Sequence, residues 1–234
     1  MKKKNVLCAL LSNAAIIAFI AVLFFTCNPI PVAMAVSSPY YYGDRNSGKV
    51  ALMFNVYEGS EYVEEILDIL ERRKATCTFF VGGVWGEKNV PLLRKMSERA
   101  ELGNHGYLHK DHKTLSKKRN EEELLLCHSL VKKTTGVEMH LFAPPSGSYG
   151  DTCLDVCSEH GYTVVMWTKD TIDWRDKDHE LILKRATSDI QSGDLILMHP
   201  TENTVKAIPF ILDRIYDAGL EPTTVSDVLG ERSI

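Results

Sequence analysis

No glycine-rich phosphate loop follows the first apolar run of this 234-residue chain. No C-x-x-C pair occurs in it, and no charged residue lies between Lys4 and Asp44. The first absence excludes the nucleotide site that alternating strands and helices would otherwise invite, because a phosphate cradle needs glycines where backbone N–H groups approach the ligand. The second removes the usual thiol–metal and thiol–redox spacings. Basic charge is not in excess either. The formal net charge is −4, and Lys2, Lys3 and Lys4 are the only charges before residue 36, so residues 36–234 carry −7. A mildly acidic domain lacks the electrostatic footprint of a nucleic-acid binder.

The uncharged stretch is informative in itself. Behind the three lysines, Val6 to Cys27 is strongly apolar, long enough to span a bilayer, and Ala33-Met34-Ala35 has the small-x-small form of a cleavage site. Two readings of residues 1–35 stand side by side: a cleaved signal peptide, or an uncleaved anchor with the lysines left in the cytoplasm. Both deliver the remainder outside the membrane. Four cysteines then belong to the exported part, Cys77, Cys127, Cys153 and Cys157. They read as small core hydrophobes, with one disulfide open to them in an oxidising compartment.

Residues 36–48 are turn-forming and aperiodic and read as a linker. From Lys49 onward the chain alternates. Lys49–Asn55 is a buried strand, and Val63, Ile66, Leu67 and Leu70 repeat at helical spacing. Strands are expected at 76–81, near 101–104, at 140–142, 162–167, 194–198 and 222–224. Helices are expected at 90–99, 116–132, 151–160, 179–190 and 204–218. Such alternation means a parallel sheet. Seven or eight such units in under 200 residues predict an α/β fold, a small, irregular (β/α) barrel forming a single domain, with an open doubly wound sheet as the alternative.

Polar residues stand at the ends of these apolar runs: Asn55, His105 and His109, Ser146, Asp170 and Asp173, and His199. In a β/α barrel chemistry collects where the strands end. His105 and His109 have metal-ligand spacing if they share one helical turn. His199 is either a strand-end histidine satisfied by backbone or a general acid, which would need Asp170 or Asp173 to orient it. Ala143-Pro-Pro-Ser-Gly147 is a rigid turn that could offer a backbone N–H to a developing oxyanion. Trp174 and Leu197 could wall a small apolar pocket.

These motifs carry a resemblance. Lys49-Val-Ala-Leu-Met-Phe54, Asn104-His-Gly-Tyr-Leu-His109, Phe142-Ala-Pro-Pro-Ser-Gly147, Trp167-Thr-Lys-Asp-Thr-Ile-Asp-Trp174 and Leu195-Ile-Leu-Met-His199 resemble the five ordered motifs of the polysaccharide deacetylases, the NodB-homology domain. The resemblance covers residues 49–231 and is strongest to the sporulation-associated branch. It implies a distorted (β/α) barrel and metal-dependent removal of N-acetyl groups from a cell-wall or chitin-like glycan. Carried over by position, it makes His105 and His109 ligands of a divalent metal, zinc foremost and weakly held. His199 becomes the general acid and Asp173 its orienting partner. Ser146, Trp174, Leu197 and Tyr149 become substrate contacts.

The first motif departs from the family. Its two aspartates, base and metal ligand, fall on Asn55 and Val56, and the arginine of the third motif falls on Ala143. Without the acidic base that arginine would be an unpaired charge, so the losses belong together. The Asn55 amide oxygen could fill part of the gap, or Glu58, three residues past it, could act from the loop as base or ligand. Two functions are therefore expected in parallel. One is a slow metal-dependent N-deacetylase acting on peptidoglycan or a chitin-like glycan. The other is a catalytically impaired relative that binds glycan or serves cell-wall or spore-coat assembly.

Overall fold

The computed structural model describes residues 15–17 and 38–230. Apart from three exposed helical residues, Ala15, Ile16 and Ile17, the N-terminal apolar segment and its A-x-A site lie outside the described residues.

Strand β1 (Lys49–Val56) is the organising element. Its side chains alternate. Val50, Leu52, Phe54 and Val56 join the apolar layer under the helices, whereas Ala51 and Met53 join the layer enclosed by the sheet. Asn55 continues the inward series at the strand's carboxyl end. β1 pairs in parallel with β2 (Thr78–Val81), β7 (Leu195–Met198) and, at its start, β8 (Glu221–Thr223). From β2 the sheet continues through β3 (Glu101–Asn104), β4 (Leu141–Phe142) and β5 (Thr163–Val164); from β7 it continues to β6 (Lys169–Asp170). All registers are parallel. No ladder joins β5 to β6 among the described residues, so the curled sheet is a barrel with one open seam.

The helices follow from local chemistry. In α1 (Val63–Arg72) the residues at helical spacing are buried, with Glu64 and Glu65 in the first turn and Arg72 in the last, as the helix dipole favours. α2 (Gly83–Lys88) precedes α3 (Val90–Arg99), which begins with Pro91 in its first turn. α4 (Lys117–Thr135) starts where the Ser116 hydroxyl accepts the Arg119 N–H and stops at Gly136 with φ 81°. α5 (Asp151–Glu159), α6 (His179–Thr187), α7 (Glu202–Asp217) and α8 (Val225–Leu229) complete the outer layer. The four cysteines of this part are free thiols buried in that layer.

Two expectations change. The strand expected at 162–167 is only two residues long, and β6 forms separately after it. Of residues 36–48, expected as a linker, the described part, 38–48, belongs to the same compact unit as the barrel. Tyr40 pairs with Val165, donating to the Val164 carbonyl and accepting from Met166, while Gly43 donates to Gly193 and Asp44 to Val228.

Candidate functional site

The carboxyl ends of the strands enclose a cavity of about 320 Å³, lined by Asn55, Tyr57, His105, His109, Ser146, Trp167, Asp170, Trp174, Leu197 and His199. A larger groove of about 1150 Å³, lined by Glu101, Glu138 and His140 among others, lies where the strands begin. Residues at that end of such barrels serve stability.

His105 and His109 do meet, although not on a helical turn. The segment after β3 is a loop that passes through left-handed backbone at Gly106 (φ 73°) and His109 (φ 54°). Asn104 fixes its start by accepting the Gly106 N–H (2.9 Å) and donating to the Leu124 carbonyl, and Glu123 accepts the Leu108 N–H. The result places the two imidazole rings 5.1 Å apart. His105 is fully buried and its Nδ1 lies 2.7 Å from the Ala143 carbonyl. A carbonyl only accepts, so Nδ1 carries the proton and Nε2 presents a lone pair. That Nε2 has no hydrogen-bond partner. Burial, and then the neighbouring His109, push the His105 pKa down to about 3. Burial likewise lowers that of His109.

On the opposite wall Asp173, not Asp170, takes the orienting position. Its Oδ1 lies 2.8 Å from His199 Nδ1, and its Oδ2 accepts both the His199 backbone N–H and the Thr204 hydroxyl, each at 2.6 Å. Asp173 is buried and both its oxygens are partnered, so it fixes His199 at two points, the ring Nδ1 and the backbone N–H. Asp170 lines the cavity itself and accepts the Ile172 N–H. Ser146 sits in a short 3₁₀ turn with φ 54° and lines the cavity, and the next residue, Gly147, packs so closely on the Trp167 ring that a Cβ there would stand 2.8 Å from it. Trp174 and Leu197 both line the cavity, Trp174 60% exposed and Leu197 buried.

Two expected site residues fall elsewhere. Tyr149 is absent from the lining, and its hydroxyl pairs with that of Tyr41 at 2.7 Å. Glu58 is exposed and also absent from the lining, because after Val56 the chain leaves the strand; its charge is still felt at His109 and Tyr57. Ala143 is buried in the enclosed layer and serves the site through its carbonyl.

Tyr57 was not foreseen from the sequence. Its ring stacks on His109 at 3.8 Å between centroids, lies 5.8 Å from His105, and meets His199 edge-on at 6.4 Å. The one sequence signal was its place two residues beyond Asn55, on the inward phase of β1 continued. Thr204, which completes the Asp173 bonds, also lacked a signal beyond its place in the first turn of α7.

The resemblance implies a divalent metal, and the residues here do not fit one. A catalytic zinc takes three protein ligands. Val56, where the third would stand, faces the outer apolar layer. Among the described residues no group of three His, Cys, Asp or Glu side chains is placed to hold an ion. Tyr57 lies against His109 as well. What remains is two neutral imidazoles and an amide oxygen.

Comparison with known proteins agrees with this architecture. The polysaccharide deacetylase family pattern matches residues 42–165, just over half of the chain. The Bacillus subtilis protein YlxY is 37% identical over 194 residues, covering 82% of this chain; the chain spans 61% of that relative's length. A peptidoglycan-N-acetylglucosamine deacetylase of Bacillus cereus is 30% identical over 79% of this chain and 89% of its own. Among solved structures, a CE4 family pseudoenzyme from Bacillus anthracis superposes with a TM-score of 0.81 at 32% identity, covering 84% of this chain and 70% of that one. A mutant of the same pseudoenzyme, described as having restored enzymatic activity, matches with the same TM-score at 30% identity, over 84% of this chain and 73% of its own.

Proposed function

We infer, because the chain belongs to the polysaccharide deacetylase family, that it is a glycan-binding member that has lost the deacetylation chemistry. It would serve cell-wall or spore-coat assembly outside the cytoplasm. The observation that carries this reading is the Tyr57 ring stacked on His109 while Val56 packs outward. Hydrolysis of an acetamide needs a group to activate water, a group to polarise the carbonyl, and an acid to protonate the departing nitrogen. The Asp173–His199 pair suits the last of these. Asn55 cannot take a proton from water at neutral pH, and Glu58 lies outside the cavity.

The ligand class follows from relatives named for peptidoglycan N-acetylglucosamine. The extracytoplasmic placement rests on the lysine-led apolar segment and the A-x-A sequence. The solved neighbour described as a pseudoenzyme supports the loss of chemistry. The test supplies zinc to the purified chain with N-acetylglucosamine oligomers or peptidoglycan and measures both acetate release and binding. Binding with no acetate above a His105→Ala control is expected. Acetate release that vanishes in that control would overturn the reading.

Slow hydrolysis is the second reading, favoured by the intact Asp173–His199 pair. It requires His199→Ala to abolish whatever release is measured.

A further inference from the structure

The cavity is unusual in what it asks of a ligand. Two of its acceptors, Asn55 Oδ1 and His105 Nε2, are buried and have no partner. A buried acceptor left unpaired is unfavourable until a donor reaches it. The one carboxylate in the lining is Asp170, and no lysine or arginine lines the cavity. Three aromatic residues, Tyr57, Trp167 and Trp174, complete the wall. Two carboxylates lie near that wall as well: after burial, the charges of Glu58 and Asp173 hold the Tyr57 hydroxyl above its usual pKa.

Unpaired acceptors, a carboxylate and aromatic faces suit a cation that only donates. An acetamide brings a single N–H, which can satisfy only one of the two unpaired acceptors. A primary ammonium brings three donors, no acceptor, and a positive charge for the ring faces. At about 320 Å³ the cavity is at the small end of ligand sites, suited to one sugar unit and its substituent.

We propose that this pocket recognises the free 2-amino group of a de-N-acetylated amino-sugar glycan, in preference to the N-acetylated form. The ammonium is held between Asn55, His105 and Asp170. The proposal rests on the glycan-binding reading above and changes its ligand from the substrate of the family's reaction to its product. An N-deacetylation elsewhere must then supply the ligand.

The test is calorimetric titration of the full chain in detergent, slightly below neutral pH, with a glucosamine tetramer and with an N-acetylglucosamine tetramer. Binding of the amine oligomer at least roughly tenfold tighter, a factor the method resolves easily, is expected. Asp170→Asn keeps a side-chain oxygen for the Ile172 N–H and should remove most of that preference. Glu180→Gln, on an exposed carboxylate of α6, should leave it unchanged. Equal or tighter binding of the N-acetylated oligomer would overturn the amine assignment and leave the glycan reading standing. Binding of neither oligomer would overturn the glycan reading and the proposal with it. A preference that survives Asp170→Asn, or is lost equally in Glu180→Gln, would show diffuse attraction to an acidic protein and also overturn it.

Discussion

At the scale of single residues, Asn55 and Val56 differ in direction as much as in chemistry. Asn55 faces the cavity and Val56 faces the helices, because successive strand residues point to opposite sides. Asn55→Asp alone is therefore expected to leave acetate release at background with zinc supplied. Val56→Asp would bury a carboxylate in the outer apolar layer. We expect it to cost about 3–5 kcal/mol, read as a lowered urea midpoint, and to restore nothing unless residues 55–58 are rebuilt together. The buried Thr204 hydroxyl provides a second case. Thr204→Val removes one of the bonds on Asp173 Oδ2 and should lower stability by about 1–3 kcal/mol, with the His199 imidazole reoriented in NMR. The sequence itself carries Asn55, Val56 and Ala143 at the positions where the resemblance expects two aspartates and an arginine. The intrusion of Tyr57 was not legible there, since nothing in a tyrosine's position announces which ring it will stack on.

At the scale of elements, strand and helix order could be read almost throughout, because period two and period 3.6 survive in β1, α1 and α3. The segments that could not be read are those whose backbone is set from outside. The 105–109 loop has helical ligand spacing, yet Asn104 and Glu123 hold it in a bend that no local propensity favours. β5 and β6 are too short to show a period. The loop makes a specific prediction. Gly106 has φ 73°, and a Cβ there would stand 3.0 Å from His112 Nε2. Gly106→Ala should destabilise by more than about 1 kcal/mol and separate the His105 and His109 rings, seen as a lost mutual chemical-shift dependence.

At the scale of the whole molecule, the buried imidazole couples folding to pH. His105 has a folded pKa near 3 against an unfolded value of 6.5. Between those values the unfolded chain binds the extra proton, so stability rises with pH across this window and falls as pH drops from 6.5 toward 3. The contribution is at most about 1.4 kcal/mol per pH unit. Urea midpoints measured along that range should fall more steeply for the wild-type chain than for His105→Gln.

The seam between β5 and β6 bears on where this chain can be cut. Tyr40 occupies the hydrogen-bonding groups of Val164 and Met166, and Gly43 and Asp44 fasten the same segment to Gly193 and Val228. Trimming to Arg45, where the strand-helix alternation is about to begin, would strip that cover and bare a parallel sheet edge, a template for pairing with other copies. A fragment starting at residue 45 should therefore self-associate in light scattering where one starting at residue 36 stays monodisperse.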